Sequence, residues 1–274
     1  MSVLLKQKKV GFIGGGNLAQ SIIAGLLDSK TLEKEQILVS NRTDKKLKKI
    51  EEKFGIQTRA TNEEIVDECQ IIIIATKPQD LFEAIESLSS SFTSEHLIIS
   101  LAAGIGLDSL AKIILEYDNI AKVMCNVAVR SRDAMMGYSL YKEGPLASDM
   151  IEELFSPLGK IIEIDDDEAM SAFTVASSAG VGFVLELMQH WQDWMEGYGY
   201  DPEQAKLITA QTFLGAAKLS LDNMNLSSYE LINQIASKKG VTEAGLQSMR
   251  ETDIDTALRI SFEKALLRDK ELGK

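Results

Sequence analysis

Cysteine and histidine are almost missing from this chain, each occurring twice in 274 residues. Cys69 and Cys125 cannot build a disulfide framework, and His96 and His190 lie far apart in the sequence with no CxxC or HExxH spacing. A metal site is therefore not expected, nor a mechanism that needs several imidazoles. Neither GxSxG nor a P-loop pattern occurs, which leaves hydrolase and nucleoside-triphosphatase chemistry without support. No apolar run approaches the roughly 18 residues of a membrane span. The segment Met1–Lys9 is too short and polar for a secretory leader, so the expected compartment is the cytoplasm. Positive charge is also scarce: 29 Lys and Arg against 41 Asp and Glu leave a net charge of −12. Such a chain is a poor partner for nucleic acid or an anionic membrane, although a small anion in a local basic pocket stays open. Any catalysis must then rest on a borrowed cofactor or on hydroxyl, amide and backbone groups.

What is present is ordinary globular composition, 45% hydrophobic and 26% charged, at a length that suggests two domains of roughly 150 residues each. The first half alternates short apolar runs with amphipathic ones. Strands are predicted at Lys9–Ile13, Gln36–Ser40, Ile71–Ala75, Leu97–Leu101 and Ile120–Met124, with helices at Leu18–Leu27 and Asp44–Phe54. Strands separated by helices of about 10 to 15 residues form βαβ units with a parallel sheet, and a four-isoleucine run suits a strand covered on both faces. Past the acidic break Glu163–Glu168 the pattern turns helical, with helices predicted near Ala169–Gly197, Pro202–Leu221, Ser227–Ala236 and Val241–Leu272, the last broken near Glu251–Thr252. Asp201 and Pro202 are a helix start, as N-cap and first residue. The tail from Arg268 reads as a charged, solvated end. The expected fold class is α/β, a doubly wound Rossmann-type sheet (1–165) followed by an all-helical domain (166–274). That second domain is too small for a core of its own, so it is expected to complete its core against a twin subunit.

The chemistry-bearing pattern follows the first strand. Gly14, Gly15, Gly16, Asn17, Leu18 and Ala19 fit G-x-G-x-x-G/A between a strand and a helix. Gly14 permits the tight turn, Gly16 lets backbone approach a diphosphate, Ala19 keeps helix and strand close, and the helix N-terminus supplies free N–H groups. The other reading is a tight turn kept for packing alone. Which dinucleotide would bind depends on the end of the second strand. There, in place of the acidic residue of NAD sites, stand Ser40, Asn41, Arg42 and Thr43. Arg42 can pair with a 2′-phosphate while the hydroxyls and amide hydrogen-bond it, which favours NADPH over NADH. Lys45, Lys46, Lys48 and Lys49 add positive potential or form a solvated helix face, and Asp44 is a helix cap or a ribose ligand. Two more strand ends are either candidate cofactor contacts or ordinary loops: Ala75, Lys77 and Pro78 in one, and the small residues around Ala102 in the other, where a nicotinamide ring can lie against backbone.

Together these segments resemble the pyrroline-5-carboxylate reductase family over nearly the whole chain. Val10–Ala19 looks like its opening motif, Ala75–Gln79 resembles A-x-K-P-Q, and Ala210–Lys218 is similar to the x-Q-T-x-x-G-A-A-K part of its A-x-Q-T-x-x-G-A-A-K helix. Ser40–Arg42 and Asn62 fall where the family contacts NADP. The resemblance implies an obligate homodimer with interleaved helical domains, alone or in an oligomer of dimers. In such a dimer, one subunit's helical segment completes the other's pocket. It also implies a small anionic imino-acid substrate and reduction of 1-pyrroline-5-carboxylate to L-proline by hydride transfer from NADPH. Thr242 corresponds to the family's substrate-contacting threonine and is the candidate for the hydrogen bond to the imine nitrogen. Asn126 is the candidate for positioning nicotinamide or substrate, and the backbone of Gly240, Val241 and Thr242 for holding the carboxylate.

The departures gather at the substrate end. The family's R-x-M-P-N-T-P appears as Lys122–Ala128, its S-G-S-G-P-A-Y as Ser177–Phe183, and its S-P-G-G-T-T-x-A-G-L as Ser237–Leu246. Lys239 replaces a glycine at a turn that favours positive φ, which a side chain adopts only at a cost. Lys238 and Lys239 either serve the anion as cations or point to solvent. Two other functions therefore stay open: a reductase of another imine or keto acid, and a non-catalytic NADP-binding paralogue. Thr242 is also readable as a helix N-cap, His190 as a packing or interface residue among Met and Trp, and Cys125 as an inert thiol.

Overall fold

The computed structural model describes residues 4–114, 118–142 and 145–273, so that three residues of the Met1–Lys9 segment lie outside the described part. Eight strands form one sheet: β1 (Val10–Ile13), β2 (Ile37–Ser40), β3 (Gln57–Arg59), β4 (Ile71–Ile74), β5 (Leu97–Ser100), β6 (Ile120–Met124), β7 (Ala134–Leu140) and β8 (Gly159–Glu163). Their spatial order is β3-β2-β1-β4-β5-β6-β7-β8. All neighbours are parallel except β6 and β7, which run antiparallel. The helices accompanying the sheet are α1 (Asn17–Asp28), α2 (Asp44–Phe54), α3 (Asn62–Glu68), α4 (Pro78–Glu86), α5 (Leu107–Ile113) and α6 (Pro145–Phe155). Thereafter the chain is helical: α7 (Asp167–Phe173), α8 (Gly180–Gly197), α9 (Pro202–Asp222), α10 (Ser228–Ile235), α11 (Val241–Glu251) and α12 (Ile254–Leu272).

The four-isoleucine strand shows why the sheet is central. Ile71 and Ile73 pack with Val10, Phe12, Ile37 and Val39 and with Ile22 and Leu26 of α1 on one face. On the other face Ile72 joins Leu38 and Ile65, and Ile74 joins Leu81, Ile98 and Leu110. All four are at most 1% exposed. Each such side chain contributes about 1.5–3 kcal/mol relative to exposure, so alternation within β4 cements both helical layers to the sheet. The five predicted strands occur within a residue or two of their expected ends. β3, β7 and β8 were not anticipated. β3 has three residues and no apolar alternation, and β8 carries exposed Lys160 and Ile162, so neither announces itself. α2 starts one residue earlier than a capping Asp44 would require: Thr43 is the N-cap and Asp44 opens the first turn.

By packing, the chain divides into Met1–Ala179 with Ala265–Lys274, and Gly180–Lys264. The tail is only partly the solvated end expected from its charges: Arg268, Lys270 and Glu271 are exposed, whereas Asp269 is buried. Gly104 (φ +76°) lies so close to the last turn of α12 that a Cβ there would sit 2.3 Å from the Asp269 carbonyl oxygen, and Asp269 is 5% exposed. Buried Lys122 on β6 feels the charges of Asp269 and Asp167, which oppose the downward push of burial on its pKa. The helical stretch Asp167–Gly197 corrects a second expectation. It is long and apolar enough to cross a membrane by length and composition, with mean hydropathy 1.4. Its uncharged run from Ala169 to Leu185 is diluted by Ser and Thr, which hid its length. Asp201 and Pro202 do start α9, the Asp201 carboxylate accepting from the N–H groups of Glu203 (3.0 Å) and Gln204 (3.1 Å).

At the β3 edge, Glu68 accepts hydrogen bonds from Arg59 (Nη2–Oε2 2.8 Å) and Lys9 (3.2 Å), which hold its carboxyl near a pKa of about 2 against an ordinary 4.5. A depressed folded-state pKa means stability that is fully present above the ordinary value and is lost as pH falls toward the folded one. Glu68→Gln should therefore lower stability at neutral pH and flatten the stability profile between 4.5 and about 2 in denaturant titrations. An unchanged slope across that interval would remove Glu68 from the acid response.

Candidate functional site

β1 is followed by partners on opposite sides, β2 and β4, and a crevice opens beyond its carboxyl end as the chain leaves in both directions. The cleft there has a volume of about 320 Å³ and is lined by Gly14, Gly15, Gly16, Asn41, Arg42, Lys46, Asn62, Ala75, Thr76, Lys77, Asp80, Glu83 and Ala84, besides Ile13. Gly14 holds φ +106°, its N–H donates to the Ser40 carbonyl at 2.9 Å, and a Cβ would lie 2.9 Å from the Ala75 oxygen. At Gly15 a Cβ would meet Ile50 Cδ1 at 2.4 Å. Packing alone explains those two glycines. It does not explain Gly16, where a Cβ would meet nothing within 4 Å. Gly16 is also the N-cap of α1, without a side-chain cap and with no acidic residue in the first turn. Free N–H groups facing an open, side-chain-free approach are what a diphosphate requires.

The second wall carries the charges. Arg42 reaches Asp80 across the cleft rim, Nη2 to Oδ2 2.9 Å. Lys46 lines the cleft as well, whereas Lys45, Lys48 and Lys49 surround a separate surface depression with Asp44 and Glu52, as a solvated face does. Ser40 is 1% exposed, and its hydroxyl donates to Asn62 Oδ1 at 2.7 Å; the Asn62 amide in turn donates to the Ala84 carbonyl at 3.2 Å. Ser40 thus sits behind the wall that Asn62 forms. Asn17, Leu18 and Pro78 lie at helix starts beside the cleft and not in its lining, and Ala102 is buried with its N–H on Ser100 Oγ (3.3 Å). Thr76, Asp80 and Glu83 went unnoticed in the sequence. Thr76 could have been found inside the Ala75–Gln79 run, and its buried hydroxyl has no partner among the described residues. Asp80 had no such signal, because only sheet order brings residue 80 to residue 42.

At the end of β6, Asn126 accepts from the Ala128 N–H (3.0 Å) and donates to the Ser177 carbonyl (3.2 Å). It so ties the turn Val127–Arg130 to Thr174–Ala179, a π-helical segment of the kind that often marks functional positions. Two of the three divergent motifs meet here. The Ser178 hydroxyl is buried and unpaired among the described residues. Burial pushes the Cys125 thiol up to about 12, which makes it the inert group expected.

Gly240, Val241 and Thr242 belong to the other unit. Gly240 is the N-cap of α11, so Thr242 is a first-turn residue and not the N-cap. Lys239 does adopt the left-handed conformation (φ +59°), at a cost of about 1–2 kcal/mol, and the Glu243 carboxylate accepts its N–H. Uncapped N–H groups follow at the start of α11. His190 is 69% exposed on α8, its Nε2 3.6 Å from Glu186. Trp191 and Trp194 are also exposed (45% and 60%), an apolar face left uncovered within one chain. Among the described residues no group of three or more His, Cys, Asp or Glu is placed to hold a metal.

Two family models match the chain: "NADP oxidoreductase coenzyme F420-dependent" over residues 9–104 and "Pyrroline-5-carboxylate reductase dimerisation" over residues 167–272. A pyrroline-5-carboxylate reductase of Methanosarcina acetivorans is 32% identical over 271 residues, covering 98% of this chain and 100% of its own. Pyrroline-5-carboxylate reductase 1 of Bacillus subtilis is 28% identical, covering 100% of this chain and 92% of its own. Among solved structures, a Coxiella burnetii pyrroline-5-carboxylate reductase superposes with TM-score 0.87 at 26% identity, covering 98% and 100% of the two chains. The pyrroline carboxylate reductase of Plasmodium falciparum with NADP bound shares the fold, with TM-score 0.89, 22% identity and coverage of 98% and 99%.

The glycines separate by substitution. Gly16→Ala should leave the thermal midpoint unchanged and weaken dinucleotide binding at least about tenfold, since its side chain has room in the protein but not beside a diphosphate. Gly14→Ala should lower the midpoint as well, through its φ and its clash with Ala75. Equal dinucleotide affinity in Gly16→Ala and the parent would return the turn to a packing role.

Proposed function

The chain belongs to the pyrroline-5-carboxylate reductase family, and from that premise we propose that it reduces 1-pyrroline-5-carboxylate to L-proline with NADPH, in proline biosynthesis. The full-length match to the relatives carries this reading. The cleft fits the cofactor independently: the open approach at Gly16, the uncapped start of α1 and the Thr76 hydroxyl, unpaired among the described residues, all suit a polar, anionic ligand. Arg42 and Lys46, with no acidic residue at the end of β2, favour the 2′-phosphate of NADPH over NADH.

We assign the diphosphate to the backbone of Gly14–Leu18. The adenosine side goes to Asn41, Arg42 and Asn62, with Ser40 holding Asn62. Ala75, Lys77, Pro78 and Ala102 frame the nicotinamide side. The reduced nicotinamide supplies a hydride to the C=N carbon. The chain's own work is placement and charge. A cyclic imine is basic enough to arrive protonated, so no strong acid is required. The Thr242 hydroxyl oxygen accepts a hydrogen bond from the N–H of that protonated ring nitrogen, which ends as the amine. The N–H groups of Val241 and Thr242 hold the carboxylate beside Gly240, a role supported by the uncapped start of α11; the Gly240 N–H itself donates to the Ser237 carbonyl at 2.9 Å. Asn126 orients the reacting rings through the turn it caps. Functionally we divide the chain at 165/166, a division supported by the dimerisation match from residue 167. The protein is a homo-oligomer. We propose a dimer, alone or stacked further, whose contact covers the exposed apolar face of α8 and α9. Two free, buried thiols suit the cytoplasm.

Loss of reduced-nicotinamide absorbance on mixing with NADPH and pyrroline-5-carboxylate tests the activity. Turnover is expected; NADPH binding without turnover would leave a non-catalytic NADP-binding protein or a reductase of a different imine or keto acid. Thr242→Val should lower kcat about tenfold or more with NADPH affinity unchanged, whereas an unaltered kcat would exclude Thr242.

A further inference from the structure

We propose that Asp80 sets how strongly this enzyme prefers NADPH, by competing with the 2′-phosphate for Arg42. The inference rests on the cofactor reading above and names a residue that reading does not use. Asp80 lines the same cleft as Arg42 and pairs with it at 2.9 Å. The two partners are held differently. Asp80 stands on the first turn of α4, which begins with Pro78 and where its N–H donates to the Lys77 carbonyl at 2.9 Å; its side chain is 27% exposed. Arg42 projects from the turn between β2 and α2 with a side chain 78% exposed. When an anion arrives, the arginine is the partner free to turn toward it, and the carboxylate stays.

The remaining charges make the competition count. The cleft lining holds three cations, Arg42, Lys46 and Lys77, and two carboxylates, Asp80 and Glu83. Only Arg42 among these cations is engaged in an ion pair among the described residues. A 2′-phosphate must draw Arg42 away from Asp80 or share it, and so gains less from the arginine than it would from a free one. NADH carries no such phosphate and leaves the pair intact. The cost therefore falls on NADPH alone, and Asp80 narrows the gap between the two cofactors.

Dissociation constants of NADPH and NADH, measured by calorimetry on the intact enzyme without imine, test this. Asp80→Asn keeps the shape and removes the charge. It should tighten NADPH roughly three- to tenfold while NADH changes by less than about twofold. Asp80→Glu should restore the parent's NADPH affinity. In an Arg42→Ala background, Asp80→Asn should change NADPH affinity by less than about twofold, because the contested partner is gone. An unchanged or weakened NADPH affinity in Asp80→Asn overturns the proposal while leaving the cofactor reading intact. So does an undiminished effect in the Arg42→Ala background, which would show that Asp80 acts by its charge alone. A parent enzyme that binds neither nucleotide removes the cofactor reading itself, and the proposal with it. Thermal midpoints of all variants establish that each is folded.

Discussion

The close approach of Gly14 to the Ala75 carbonyl, with its N–H on the Ser40 carbonyl, joins the ends of three neighbouring strands at one point. β1 can stop there and turn into α1 only because residue 14 has no side chain and tolerates φ +106°. Everything in the cleft is placed from that point. It sets the start of α1 with its free N–H groups, brings Asn41 and Arg42 in from β2, and brings Thr76 and Lys77 in from β4. The parallel register of β1 with both neighbours fixes their heights. Hydrophobic burial across the isoleucine strand supplies the stability, while the glycine turn decides where that stability is spent on function.

Much of this was legible in residues alone, for identifiable reasons. The strands of the parallel core are continuous apolar runs with helices between them, and the glycine motif sits in the context that gives it meaning. The helix break near Thr252 also appeared, with Asp253 in the left-handed region just beyond. What stayed hidden depends on long-range assembly. β8 pairs with β7 through exposed or partly exposed residues that carry no pattern, and Ser40 reads as a ligand until its hydroxyl is found spent on Asn62. The tail looked solvated because charge dominates it, yet it folds back where Gly104 leaves room. Asp80 is the sharpest case: its partner lies 38 positions away, and no local spacing joins them.

The departures from the family's substrate motifs now have physical content. Lys239 keeps the left-handed backbone that a glycine would adopt freely, so the turn before α11 persists at an energetic cost. The same turn gains two cations, and the neighbouring Glu243 carboxylate takes up one of its N–H groups. Asn126 and Ser177, from the other two altered motifs, remain hydrogen-bonded to each other. Scarcity of histidine and cysteine is equally consistent with this chemistry: when the cofactor brings the hydride, the chain needs donors and shape more than acids and bases.

In the proposed reaction, hydride passes to the imine carbon of pyrroline-5-carboxylate from a dinucleotide whose diphosphate is held on the Gly14–Gly16 turn. NADPH carrying deuterium at the transferred position of C4, incubated with the enzyme and the imine, tests it directly by mass spectrometry of the product. Proline heavier by a single deuterium, located on the former imine carbon, is the predicted result. Unlabelled proline, or no proline from enzyme that binds NADPH, would contradict the account.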